Sequence, residues 1–346
     1  MSNRESYVRR IRSGLKMLTL AVLYYSGTLW LLAALRLRNR IIVLTYHRVL
    51  PKAIQANSFS APAIIVTPET FDSHMRFLRR HLHPISVSEL ARTIQLGTIP
   101  KAGTCLVTFD DGWYDNLDYA LPILRRHRIP AVLFVATDYI GTARCFWQER
   151  LARRLHNVRR LPVVRELFAK LGASGVESMN EEDARTAIRD IVTAMKEKPA
   201  TVVDAVVTEL EALSSDPAMA GEDYFLNWAD LSTLASDGLV TIGSHAMSHT
   251  PLTKLAPVEV RRELAGSRSA IRAGLGIEVS SLAYPNGDAS TEVASIARAE
   301  GYGVAFTTIR GLVTAGHHPQ LLPRINIHES AASSRAAFLG RLLGIF

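Results

Sequence analysis

The chain has 346 residues, 48% of them hydrophobic, which is enough to bury a large core and a length that fits one α/β barrel with additions. This composition excludes a disordered polypeptide, and two cysteines exclude a disulfide framework. A formal net charge of +8 points to an anionic neighbour, either acidic lipid headgroups or an acidic polymer. Nucleic acid is set aside, because no zinc-finger spacing, RNP-like aromatic motif or long basic block is present.

Residues 17–35 carry no charge, and as one helix they rise roughly 28 Å at ~1.5 Å per residue, enough to span a bilayer. Arg4, Arg9, Arg10, Arg12 and Lys16 precede the stretch, and Arg36, Arg38 and Arg40 follow it. Tyr24, Tyr25 and Trp30 supply interfacial aromatics, while basic flanks on both sides leave the orientation open. A cleaved signal peptide fits poorly, since the stretch is long and no small-x-small site follows. A buried core helix and a helix lying in the membrane surface also compete. Thr19, Ser26 and Thr28 form no strong polar face, so the expectation is a membrane-embedded helix. Residues 1–40 are thus read as a basic N-terminus with a membrane helix, and 41–346 as the globular domain.

Ile41 to His47 reads as a buried strand ending at a polar residue, and Thr67-Pro68-Glu69 starts a helix carrying Phe71, Met75, Phe77 and Leu78 on its apolar side. A short helix over 86–96 precedes the strand Thr104 to Phe109, a helix over 116–127 and the strand Ala131 to Val135. Strand, helix and strand alternating with short connections predict parallel pairing. Residues from about 148 to 220 are helix-rich and break the rhythm, as a helical insertion would. The alternation then resumes with a helix over 228–236, a strand over 239–243 and a helix over 257–273. Strands at 281–284 and 303–307, separated by a helix over 291–300, precede a closing helix over 333–343.

Asp110-Asp111 closes the apolar run Thr104 to Phe109 and is followed by Gly112, which places acid chemistry at a strand's carboxyl end, where α/β folds build their sites. His245-Ala246-Met247-Ser248-His249 follows a second strand. At i and i+4 on one helical face the two imidazoles would be about 5–6 Å apart at Cβ, within reach of one divalent metal. Two histidines and one carboxylate leave open positions for water and substrate. Asp111 is the natural third ligand, which leaves Asp110 beside the metal as general base.

Three motifs in order make the chain resemble the polysaccharide deacetylase family, the NodB-homology group of carbohydrate esterases. They are Thr108-Phe109-Asp110-Asp111-Gly112, Ser244-His245 with His249, and Ala283-Tyr284-Pro285-Asn286-Gly287. The resemblance implies a distorted (β/α)7-type barrel, a divalent metal, usually zinc, and metal-dependent hydrolysis of N-acetyl groups on amino sugars with release of acetate. It implies Asp110 as the base and Asp111, His245 and His249 as metal ligands. It also implies that the backbone N–H of Tyr284 helps hold the oxyanion, with Pro285 and Gly287 shaping that loop. For the general acid it offers His47, in a Leu44-Thr45-Tyr46-His47 run similar to the subgroup that deacetylates exported poly-N-acetylglucosamine. His328 is the fallback. The commoner pattern has an arginine in the third motif that steers the catalytic Asp, where this chain has Ala283; Arg324 is the residue expected to supply that charge. The implied partners are an N-acetylated polysaccharide or a lipid-linked amino sugar, and a membrane, the bacterial inner membrane being the expected one. The alternatives are a deacetylase or deformylase acting on a lipid-linked sugar, and a non-catalytic carbohydrate-binding homologue.

Overall fold

The structure, a computed structural model, describes residues 3–98, 100–213 and 224–345. The chain forms two compact units. The first comprises Met1–Pro51, Pro62–Gly141 and Leu226–Phe346; the second comprises Lys52–Ala61 and Thr142–Phe225.

Seven parallel strands close a barrel in the first unit: β1 (Ile42–Tyr46), β2 (Thr104–Phe109), β3 (Ala131–Val135), β4 (Val240–Ser244), β5 (Ser281–Ala283), β6 (Val304–Arg310) and β7 (Leu322–Asn326). Each strand neighbours the next in sequence, and β1 pairs with both β7 and β2, so the seven strands close on themselves, with the two-residue strand His83–Pro84 added on the outside of β2. β1, β2 and β3 are buried at every position, as expected of parallel strands covered on both faces. Side chains such as Val43, Leu106, Val132, Phe134 and Phe306 fill the interior. The barrel is irregular between β6 and β7, where the register shifts between Leu322 and Arg324. Pro323, which has no N–H to give the ladder, lies at that shift.

The surrounding helices begin where side chains can cap them. Thr67 accepts a hydrogen bond from the N–H of Thr70 to start Pro68–His81, and Ser86 with Glu89 forms a reciprocal capping box ahead of Val87–Gln95. The helix expected over 116–127 has two parts, a π-helical turn at Asn116–Ala120 and an α-helix at Leu121–His127.

The expected continuous helix over 17–35 is corrected. Asn3–Tyr25 and Thr28–Arg36 are separate helices bent by 80° at their junction, and no single helix among the described residues is long and apolar enough to cross a membrane. The break falls at Ser26-Gly27. Gly27 takes φ 81°, and the Ser26 and Thr28 hydroxyls bond each other at 2.9 Å, which supplies local partners where the helical ladder stops. Packing holds the bend: Leu20, Leu29 and Ala33 are buried, and the Trp30 ring stacks on Phe77. The side chains of Arg4, Arg9, Arg10 and Arg12 lie outside the described residues.

The second unit is built on the helices Trp147–Val158, Glu181–Met195 and Ala200–Leu213, around a core that includes Leu151, Leu155, Phe168, Ile188 and Leu210. The helical insertion expected at about 148–220 falls in this unit, although 214–220 lie outside the described residues.

Candidate metal centre and active site

Three segments at the carboxyl ends of β1, β2 and β4, together with Arg324 on β7, supply the site. The Asp110 N–H donates to Tyr46 O at 3.0 Å, so β1 and β2 finish level and deliver His47 and Asp110 side by side. The chain then turns sharply: Asp111 has φ 82° and Gly112 φ 89°. A left-handed aspartate is strained, and the turn aims its carboxylate away from that of its neighbour. Gly112 is required twice over, by its φ and because a Cβ there would sit 3.1 Å from Val135 Cγ1 and 3.3 Å from Ile140 Cδ1.

His245 and His249 do not share a helical face as expected. Residues 245–250 form a loop in which Ala246 and His249 take positive φ, of 61° and 60°. Glu263 holds this loop, its Oε2 accepting the N–H groups of Met247 and Ser248 at 2.9 Å each. The rings nonetheless converge, with centroids 5.0 Å apart. Nε2 of His245 and Nε2 of His249 lie 3.5 and 3.4 Å from Asp111 Oδ1, and one ligand atom from each of the three residues falls within 4.8 Å of the others.

The donor set fits a divalent metal. The Nδ1 of His245 donates to Ala283 O at 2.7 Å, which turns Nε2 towards Asp111 and His249. The Trp113 indole N–H donates to Asp111 Oδ2 at 2.8 Å and so leaves Oδ1 for an ion. Burial pushes the Asp111 carboxyl up, but hydrogen bonds from His245 and His249 outweigh it and hold it well below the usual carboxylate range.

Asp110 meets a different partner. Arg324, 1% exposed on β7, grips both of its oxygens, Nη1 to Oδ1 at 2.8 Å and Nη2 to Oδ2 at 2.6 Å. Arg324 itself is fixed by Thr307 O and the Thr108 hydroxyl. Burial raises the Asp110 carboxyl, but the charges of Arg324 and His245 and the Arg324 hydrogen bonds bring it below its ordinary value. Arg324, the residue expected to supply charge beside Asp110, is the one that makes this contact. His47 Nε2 lies 4.0 Å from Asp110 Oδ2, and the Asn116 amide, on the π-helical turn, donates to the His47 carbonyl at 2.9 Å. His328 precedes Glu329–Ala332 without a side-chain capping bond and accepts from or donates to the Ser330 hydroxyl, with no contact to Asp110 or Asp111 among the described residues.

The expected oxyanion role of Tyr284 is corrected. Its N–H donates to Phe306 O at 3.0 Å within the β5–β6 ladder, and its hydroxyl donates to Gln320 O, so both groups are committed to the barrel wall. Pro285 is buried and opens the short 3-10 turn Pro285–Gly287 directly after it.

Residues that the motifs did not single out support the metal side. Arg48 is fully buried, donates to Asp115 at 2.8 Å and lies over the Trp113 ring at 4.2 Å. Asp115 also accepts the N–H of Val49 at 2.7 Å. The chain Asp115, Arg48, Trp113, Asp111 thus reaches the ligand set from behind.

Comparison with known proteins identifies the family and the fold. The family model for polysaccharide deacetylase matches residues 98–305, more than half of the chain. Among curated relatives, the poly-beta-1,6-N-acetyl-D-glucosamine N-deacetylase of Staphylococcus epidermidis is 28% identical over 113 residues, 30% of this chain and 39% of that protein. A putative polysaccharide deacetylase of Bacillus subtilis is 25% identical over 113 residues, 32% of this chain and 37% of that protein. The matched stretch therefore spans less than half the length of either relative. Two solved structures share the fold. A deacetylase of Streptococcus pyogenes in complex with acetate aligns at TM-score 0.56 and 18% identity, over 88% of this chain and 97% of that one. The IcaB protein of Ammonifex degensii aligns at TM-score 0.56 and 17% identity, over 87% and 97%.

Proposed function

Because the chain belongs to the polysaccharide deacetylase family, we propose that it hydrolyses N-acetyl groups on the amino sugars of a polysaccharide, releasing acetate and a free amine, with a divalent metal, zinc foremost, held by Asp111, His245 and His249. The observation that carries this reading is the division of labour in the acid pair: Asp110 is gripped by Arg324 while Asp111 faces two imidazoles. A bound divalent ion supplies Lewis acidity towards the acetyl carbonyl and towards water.

The chain's own residues do the rest. Asp110, kept ionised by Arg324, takes the proton from the attacking water. His47 gives a proton to the departing nitrogen, so that the amine leaves neutral rather than as an amide anion. Its Nε2 lies 4.0 Å from Asp110 Oδ2, which puts the proton donor and the base beside the same scissile bond. Arg324 performs no proton transfer; it fixes the orientation of the base, which matters because misplacement by about 1 Å can cost ~100-fold.

For the substrate, the His47 placement and the similarity to the Staphylococcus enzyme favour poly-β-1,6-N-acetylglucosamine. A lipid-linked amino sugar is the second reading, favoured by the apolar residues that the N-terminal helices leave exposed. Acetate release should be measured on β-1,6-linked and β-1,4-linked N-acetylglucosamine oligomers and on a lipid-linked N-acetyl sugar, with and without chelator. The β-1,6 oligomers are expected to be the best substrates, with activity lost to chelator and restored by zinc. Release from none of the three would leave a carbohydrate-binding protein in place of the enzyme, and undiminished activity in chelator would remove the metal.

A further inference from the structure

The two N-terminal helices turn one face to the barrel and another to solvent. On the inner face, Leu20 fits against Gly340 so closely that a Cβ there would lie 2.5 Å from Leu20 Cδ2. Leu29 is fully buried, and Trp30 stacks on Phe77 with centroids 5.6 Å apart. On the outer face Leu15, Leu18 and Val22 are 59%, 63% and 59% exposed, and Leu31 and Leu35 are 64% and 62% exposed. Their spacings of three and four residues put each set on one helical stripe. A lone exposed leucine needs no explanation, but two aligned stripes on adjoining helices do.

We propose that this bent pair is a monotopic anchor, which lays the barrel unit on an anionic lipid surface without crossing it. Crossing is opposed by geometry. The apolar halves Gly14–Tyr25 and Thr28–Arg36 meet at 80°, and at ~1.5 Å per residue neither comes near the ~30 Å of a hydrocarbon core, the part of the first helix before Gly14 carrying five charged residues. Both are also fastened to the domain by the inner face and would have to abandon that packing to run through a bilayer.

Charge identifies the occupant. Between residues 14 and 40 there is no acidic residue, while Lys16, Arg36, Arg38 and Arg40 are all exposed. Apolar stripes bordered by cations match an interfacial helix pair on anionic headgroups, to which each cation near the surface is attracted. A second copy of the chain fits worse, because pairing the same face with itself would bring the same cations together. Lipid binding requires no intact catalytic site, so it is measured apart from acetate release.

The full chain should float with vesicles of phosphatidylcholine mixed with phosphatidylglycerol, and bind phosphatidylcholine alone about tenfold less or weaker. Leu18→Glu with Leu31→Glu and Leu35→Glu should lower binding to the mixed vesicles by about tenfold or more, with the thermal melt and acetate release from soluble oligomers unchanged. Arg36→Glu with Arg38→Glu and Arg40→Glu should abolish the preference for the anionic lipid. Equal binding to neutral vesicles, or full binding by the leucine variant, would overturn the proposal. So would failure to float accompanied by a dimer in sedimentation that the leucine variant dissolves. Crossing is tested in sealed proteoliposomes with Gly14→Cys or Arg38→Cys in a Cys145→Ser background. Both sites should react with an impermeant maleimide on the same side; protection of one alone would mean that the chain spans the bilayer.

Discussion

Asp110 and Asp111 share a residue type, a strand end and near-complete burial, yet their surroundings differ in one decisive respect. Arg324 occupies both oxygens of Asp110 with charge, whereas Trp113 occupies one oxygen of Asp111 with a neutral N–H and leaves the other facing His245 and His249. The role of a carboxylate here is set by which donor takes its second oxygen. On the proposed assignment, a guanidinium on both suits an ionised base with a fixed heading, and an indole on one suits a ligand with a single open oxygen.

The comparison is broken most severely by treating the two acids alike. Asp110→Asn should lower kcat by about 1,000-fold or more with metal content unchanged by elemental analysis, since it removes the proton acceptor alone. Asp111→Asn or His245→Ala should lose both metal and activity; stoichiometric metal in the His245 variant would dissolve the ligand set. Arg324→Lys keeps a positive charge but not the two-pronged grip, and kcat should fall about 10- to 100-fold. The sign of its pH effect follows from the depressed Asp110 carboxyl, whose ionised form persists as pH falls until the lowered pKa is reached. Weakening the Arg324 contact raises that pKa, so the acid limb of kcat should move to higher pH, and a stationary limb would count against Asp110 as base. The smallest effect is expected for Trp113→Phe, which frees Asp111 Oδ2. Metal affinity measured by chelator competition should drop about tenfold while the acid limb stays in place. A moved limb would mean that the two sides are coupled rather than separate.

Much of this was legible in the chain. The buried run Thr104 to Phe109 ending in Asp110-Asp111-Gly112 located both the strand and the site, because a fully covered parallel strand has no polar position except at its end. Arg324 was readable as a partner for Asp110 only through the family pattern, since 214 residues separate them and spacing carries no information over that distance. Glu263 and Arg48 were invisible for the same reason, since each acts on a partner 15 or more residues away, whereas Trp113 lies two residues from Asp111 and only its indole direction in the folded turn reveals the contact. The loop at 245–249 was misread as helical because i, i+4 spacing also suits a turn in which Ala246 and His249 take positive φ. At Ser26-Gly27 an uncharged run concealed a break that local hydrogen bonding and the Leu20 and Trp30 contacts together impose. The Tyr284 N–H was misassigned because the motif does not reveal that β6 claims it.

The closure of β7 onto β1 has a consequence in time as well as space. A ribosome delivers the amino end first, so a chain released only as far as His249 already possesses Asp110, Asp111 and both imidazoles. The guanidinium that orders Asp110 emerges much later, on the strand that seals the cylinder against β1. Such late, long-separation contacts are the slow ones to form. On the proposed assignment, a polypeptide ended before β7 would carry Asp110 and the three candidate ligands without the guanidinium that orients the base.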